Sequence, residues 1–202
     1  MADGRSYVQF GELLFPGEVQ LAAGEAYSSP VLYSGFGADG FSSLSQQFHT
    51  YVRNNVLTHS ADSKPRPVHY NTWEGIYFDH DVDTLKALAD KVAPLGVERF
   101  VLDDGWFKGR RSDKAGLGDW TVDETIYPDG LDPLINHVID LGMEFGIWFE
   151  PEMVNPDSDL YRAHPEWALQ TKNNPHVPFR NQLVLDLTNP DVVEYLFKVI
   201  ND

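Results

Sequence analysis

The chain has 202 residues, 42% of them apolar and 13% aromatic, and its 31 acidic against 15 basic residues give a formal net charge of -16. That length and apolar content suffice for one good core or two small ones and exclude a disordered chain, while the charge repels phosphate backbones and anionic membranes, so neither nucleic acid nor a membrane is an expected partner. The absence of cysteine excludes disulfides, thiolate nucleophiles and thiolate metal sites; with no basic-then-apolar start and no apolar run near the roughly 20 residues a bilayer requires, a cytoplasmic protein is expected.

In chain order, residues 1–58 read as β-rich, with short segments "YVQFGELLF", "EVQLAAGEAY" and "PVLYSGFG" bounded by Pro16–Gly17, Gly24 and Pro30. They are too few to close a sandwich or a barrel. From Phe41 to Val56 apolar residues recur at helical spacing and predict a helix. Residues 59–67, polar and carrying two prolines, read as a linker.

Beyond the linker, strands and helices alternate. Val68–Glu74 is a candidate strand. Val82–Leu95 is amphipathic, with Asp81 as N-cap and Gly96 as its stop. Strand Arg99–Asp103 follows, then a helix with Asp132 at the N-cap and Pro133 in the first turn, running to Leu141 and closed by Gly142. Met143–Glu150 is a third strand. Residues 182–188, "QLVLDLT", are either a fourth strand or an excursion within a loop, and Asn189–Pro190 opens a helix to about Ile200.

Such alternation implies βαβ crossovers and a parallel sheet, doubly wound or closed as a barrel. The polar residues Trp73–Glu74, Asp103–Asp104 and Trp148–Glu150 fall at strand C-termini, where a (β/α)8 barrel builds its active face. No Gly-rich phosphate loop follows the first strand, against a nucleotide-binding sheet. The expected fold is α/β: the first three or four strands of a (β/α)8 TIM barrel over 68–202, preceded over 1–58 by the end of a β-sandwich domain and its connecting helix. A barrel needs eight strands, so a truncated chain is expected.

The acids at 103 and 104 must meet sugar hydroxyls, Arg or Lys, backbone N–H or a cation if they are buried, because an unpaired carboxylate is costly to desolvate; otherwise they only cap a loop. Along "FGIWFEPEMV" the alternation aims Trp148 and Glu150 the same way. Glu150 and Glu152 are an acid and a base, or one orienting group and one surface charge. The stretch 107–128, with two arginines, Asp119 and Trp120, is a binding loop or a solvated charged one. Arg180 suits an oxygen ligand through its donor fork, or pairs with Asp186 or another acid. The seven histidines show no metal-ligand spacing, and Asp103, Asp104 and Asp119 lack that of a calcium loop; neither metal nor cofactor is expected.

Six motifs in order, "YNTWEG" (70–75), "LDDGWF" (102–107), "GLGDW" (116–120), "GMEFGIWFEPEMV" (142–154), "HPEW" (164–167) and "RNQLVLDLTNP" (180–190), resemble glycoside hydrolase family 36, the α-galactosidases. The resemblance is close over 68–200; before it, "SSLSQQFHTYVRNNV" resembles the end of that family's N-terminal β-sandwich. It implies hydrolysis of terminal α-1,6-linked galactose from melibiose- and raffinose-type oligosaccharides with retention, through two carboxyls about 5–5.5 Å apart. By the same resemblance Asp103 and Asp104 accept hydrogen bonds from galactose hydroxyls, Trp148 shapes the sugar pocket, Arg180 donates to ring hydroxyls and Trp73 is a pocket wall. The family's nucleophile lies in a lysine-tryptophan-aspartate motif and its acid/base further on; neither occurs here, so no catalytic residue is assigned within the chain, which is expected to be inactive alone. The family implies a homo-oligomer, often a tetramer. Two alternatives share these motifs or this chemistry: a galactosyl transferase of the raffinose-synthase type, and a non-catalytic carbohydrate-binding module.

Overall fold

The computed structural model describes residues 4, 8–57, 65–170 and 175–201. It divides into two compact units, Met1–Pro65 and Arg66–Asp202; residues 58–64, most of the expected linker, lie outside the described residues.

In the first unit the expected turns form, with Glu18 N–H donating to the Phe15 carbonyl (3.1 Å) and Glu25 N–H to that of Ala22 (3.1 Å). The expected strands do not: no β-strand occurs among the described residues before His69. A strand is stabilised by a ladder to a neighbour, and here Val8, Phe10, Leu13, Phe15, Val31 and Leu32 are all exposed. The helix expected over 41–56 forms as α1 (Phe41–Tyr51), and its last turn, Val52–Val56, is π-helical, which the apolar spacing does not foretell. Tyr33 packs on Tyr51 with ring centroids 5.0 Å apart.

The second unit is built on a three-stranded parallel sheet in the order β1 (His69–Asn71), β2 (Arg99–Leu102), β3 (Glu144–Ile147). Register pairs Tyr70 with Phe100 and Phe100 with Phe145. Strand β1 is shorter than expected. Thr72 leaves the strand, and Trp73 and Glu74 lie in a helical turn, α2 (Trp73–Ile76), instead of at a strand end. The buried Thr72 accepts at Oγ1 from the Asp103 N–H (3.0 Å), so the first strand ends by clasping the end of the second.

Helix α3 (Val82–Val92) follows its sequence signals closely. Asp81 caps it by accepting from the N–H groups of Asp83 and Thr84, Leu85, Ala89 and Val92 are buried, and a 3-10 turn ends at the left-handed Gly96 (φ 89°). Helix α4 (Asp132–Asp140) corrects one detail: Leu131 is the N-cap and Asp132 is already helical, with its charge in the first turn beside Pro133.

Residues 182–188 do not join the parallel sheet. Strand β5 (Leu183–Val184) pairs antiparallel with β4 (Met153–Val154), which makes the segment an excursion packed beside helices α5 (Asp159–Ala163) and α6 (Pro190–Asn201). Asn189 caps α6 by accepting from the Asp191 N–H (3.0 Å). No helix among the described residues is long and apolar enough to cross a membrane.

Candidate functional site

All three parallel strands deliver their C-termini to one end of the sheet, and the chain there is tied strand to strand. Trp148 N–H donates to the Leu102 carbonyl (2.9 Å), and the Trp106 indole N–H donates to the Trp148 carbonyl (2.9 Å). Beneath them Trp106, Phe107, Trp120 and Phe149 form an aromatic layer; Trp120 lies 4.6 Å from Phe107 and 5.2 Å from Phe149, centroid to centroid. Trp148 is half-buried against this layer, 6.5 Å from the Phe107 ring and nearly parallel to it (14°).

Asp103 and Asp104 sit where β2 ends, with only 9% and 5% of their surface exposed. Asp103 uses Oδ1 to accept the Asp104 N–H (2.7 Å) and Oδ2 to accept from the Asn71 amide. The same Asn71 receives the Trp73 N–H at its Oδ1 (2.8 Å), so one amide holds Asp103 and Trp73 in fixed relation. Trp73 meets Tyr77 and Phe78 edge-on at 5.1 and 5.0 Å.

The donor that burial of Asp104 demands is Arg110, which is fully buried. Its Nε and Nη2 each donate to one Asp104 oxygen at 2.8 Å, a bidentate pair, and its Nη1 donates to the Ala115 carbonyl and to Asn155 Oδ1, both at 3.0 Å. The guanidinium lies between the Phe78 and Phe107 rings at 5.3 and 5.8 Å. The 107–128 stretch is therefore no solvated loop: Phe107, Arg110, Leu117, Trp120 and Tyr127 are buried in it.

Asn155, also fully buried, is saturated. It accepts from Arg110 and from the Leu117 N–H (2.9 Å), and donates to the carbonyls of Asn181 (2.8 Å) and Asp113 (3.3 Å). Arg180 and Asn181 are the two central residues of a tight hairpin loop, with φ of 51° and 62°; Phe179 and Gln182 exchange backbone hydrogen bonds of 3.1 and 2.9 Å across it. Arg180 is exposed. It does not pair with Asp186, whose Oδ1 is taken by the Thr188 N–H and hydroxyl, and among the described residues its guanidinium makes no hydrogen bond.

Glu150, beyond the end of β3, is tied to the hairpin. Gln182 donates to it (3.3 Å), and burial raises its carboxyl above the usual range, with the nearby charges of Glu152 and Asp104 adding to the rise and those of Arg180 and Arg110 opposing it. Since the folded protein holds this proton more tightly than the unfolded chain, stability falls as pH rises through the window above the ordinary glutamate value. Glu150→Gln is expected to flatten that segment of the stability-versus-pH curve, measured by urea unfolding at a series of pH values from 4 to 7; an unchanged slope would contradict the assignment.

Of the expected site residues, Asp103, Asp104, Trp73 and Trp148 share the sheet's C-terminal end; the Arg180 side chain is exposed and makes no hydrogen bond to them, and only its neighbours Asn181 and Gln182 are tied to Asn155 and Glu150. Asp119 stands apart, capping α5 by accepting from the N–H groups of Asp159 (2.8 Å) and Leu160 (2.9 Å). Arg110, Asn155 and Asn71 were not singled out from sequence. Arg110 lies in the 107–128 stretch noted for its two arginines, and Asn71 in the motif "YNTWEG", but neither carries a role of its own there; Asn155 carries no local pattern.

A family model described as Melibiase matches residues 26–202. The chain is 52% identical over 196 residues to an alpha-galactosidase of Escherichia coli, covering 97% of this chain and 28% of that relative. Among solved structures it resembles the galactosidase domain of alpha-galactosidase-sucrose kinase AgaSK, with TM-score 0.75, 48% identity and coverage of 79% of this chain and 22% of that one. A GH36 alpha-galactosidase AgaA variant from Geobacillus stearothermophilus in complex with raffinose gives TM-score 0.73, 44% identity, and 77% and 22% coverage. The chain thus spans little more than a quarter of the length of these relatives, or less.

Proposed function

The chain belongs to the melibiase family, and from that premise we propose that residues 66–202 are the galactose-gripping part of a retaining α-galactosidase that cleaves terminal α-1,6-linked galactose from raffinose-type oligosaccharides. The observation that carries this is the pair of buried carboxylates, Asp103 and Asp104, fixed side by side where a parallel strand ends. Carboxylates accept hydroxyl hydrogens, and half-buried indoles beside them offer flat apolar faces to C–H groups. Asp103 and Asp104 take galactose hydroxyls, Trp148 and Trp73 wall the pocket, and Arg180 donates from the hairpin. Each of these oxygens already accepts one protein hydrogen bond and has a second lone pair to offer, so an epimer is favoured when its hydroxyls reach those remaining acceptor positions.

In this reading β1, β2 and β3, adjacent in chain order, are the first strands of a (β/α)8 barrel, and 182–188 is a loop excursion. Residues 1–58 belong to the end of a β-sandwich: over the described residues 8–40 apolar side chains such as Val8, Phe10, Leu13, Phe15, Val31 and Leu32 are exposed, as they would be in strands whose covering neighbours are absent. The lysine-tryptophan-aspartate motif expected to carry the nucleophile does not occur in these 202 residues, and we expect no turnover of an aryl α-galactoside by this chain alone.

The test is a titration of the isotopically labelled chain with galactose and, separately, glucose, followed by amide NMR. Galactose is expected to shift residues 102–106 and 148 and to bind at least tenfold more tightly than glucose. Asp103→Asn is expected to weaken galactose binding by roughly 10- to 100-fold, the worth of a hydrogen bond to a charged group. Equal responses to both sugars, or shifts scattered away from these residues, would overturn the assignment.

A further inference from the structure

We propose that Asn155 is a positioning residue that holds the crest of the hairpin bearing Arg180 at a set separation from Asp104, so that the donor and acceptor sides of the sugar site are spaced by a buried amide rather than by the parallel strands. This rests on the galactose-site reading and extends it to residues that touch no ligand.

Asp104 lies at the end of β2 and Arg180 at the crest of the hairpin closed by Phe179 and Gln182, which leads into β5, so no backbone ladder of the parallel sheet spans them. What does span them is a line of side chains. Asp104 is gripped through both oxygens by Arg110, Arg110 donates to Asn155 Oδ1, and Asn155 Nδ2 donates to the carbonyl of Asn181, the residue next to Arg180. Each link is short, between 2.8 and 3.0 Å.

The chemistry of the amide is specific to this task. Asn155 receives two donors, from Arg110 and the Leu117 N–H, at its oxygen and gives two hydrogens, to Asn181 and Asp113, from its nitrogen. An aspartate would keep the acceptor side and lose the donor side; an aliphatic residue would lose both. Because Asn155 is fully buried, no water substitutes for a missing partner without the site opening. The turn is also held at its base by the β4–β5 ladder, which pairs Leu183 with Val154, and by Gln182, which donates to Glu150 (3.3 Å), a longer contact than the one from Asn155.

Asn155→Asp isolates the donor arm: it retains acceptors for Arg110 and Leu117 and releases the Asn181 carbonyl. Arg180→Asn removes the guanidinium with a residue that tolerates the left-handed backbone of the turn. Galactose affinity is measured by NMR titration for the wild type, each single variant and the double variant, together with amide hydrogen exchange of Phe179 and Gln182. If Asn155 acts through Arg180, each single change weakens galactose by about tenfold and the double change does little more than Arg180→Asn alone, well short of the hundredfold that independent effects would give. Exchange at Phe179 and Gln182 speeds up in Asn155→Asp while the amides of β2 keep their protection. Multiplicative losses, or unchanged affinity alongside faster turn exchange, would overturn the proposal. Should the wild type bind no galactose, the functional reading falls; the exchange measurement then decides the positioning role by itself, with unchanged rates in Asn155→Asp refuting the tether and faster rates upholding it.

Discussion

Arg110→Met is expected to destabilise the second unit by about 3–5 kcal/mol, because it strands the Asp104 carboxylate, whose side chain is 7% exposed, without its counterion. The buried pair is tightly specified: bidentate, flanked by two phenyl rings, and tied to Asn155 and to the Ala115 carbonyl. Desolvating two charges nonetheless offsets much of their attraction, so an apolar replacement of both members is expected to recover most of the loss. Urea unfolding followed by tryptophan fluorescence should place Asp104→Leu/Arg110→Met far closer to the wild type than Arg110→Met. A double variant as weak as the single one would show that the arginine matters for packing and not for pairing. The double variant would also lose the carboxylate offered to the sugar, which separates folding from binding at one position.

The second large effect is expected at Gly105, where alanine should destabilise by roughly 2–4 kcal/mol from backbone strain and overpacking together. The residue has φ of 117°, and a Cβ would stand 2.7 Å from Nε2 and 2.9 Å from Cδ2 of His80. His80 has no room to retreat: it is 5% exposed and held by the Tyr127 hydroxyl (2.7 Å) on one side and the Asp104 carbonyl (2.9 Å) on the other. Burial pushes its pKa below the usual imidazole value, so the ring is neutral at pH 7. Gly96 is the internal control, because it too has positive φ (89°) but open space around its Cβ. Alanine there should carry only the strain of a left-handed residue, about 1–2 kcal/mol. Equal urea midpoints for the two variants would mean that the contact with His80 is relieved by movement.

These two positions also show what was legible beforehand. Elements whose stabilising signals are local came through from sequence. Helix α3 carries its cap, its apolar face and its glycine stop within residues 81–96, and all of them act as such. The acid pair at the end of β2 and the indole after β3 were likewise visible, because a strand that stops in charged and aromatic residues is unusual in itself. What was hidden depends on partners far along the chain. Arg110 reaches Asn155 across 45 positions, and Asn155 reaches Asn181 across 26; neither leaves a periodic trace. Trp73 falls within the expected strand Val68–Glu74, but Thr72 adopts a helical backbone (ψ -13°) and turns the chain into α2. The β-character of residues 8–40 remains in composition only, since pairing needs a neighbour that these described residues do not provide.

Tight hairpin loops such as the one crested by Arg180 and Asn181 favour glycine or asparagine, which reach positive φ with little strain; Asn181 obeys that preference and Arg180, with φ of 51°, does not. A long cationic side chain held in a backbone shape that suits it poorly is a local compromise. Selection for thermal robustness alone would replace it with glycine. A thermostabilised relative of this chain that keeps an arginine at this crest would therefore be retaining it for chemistry rather than for fold.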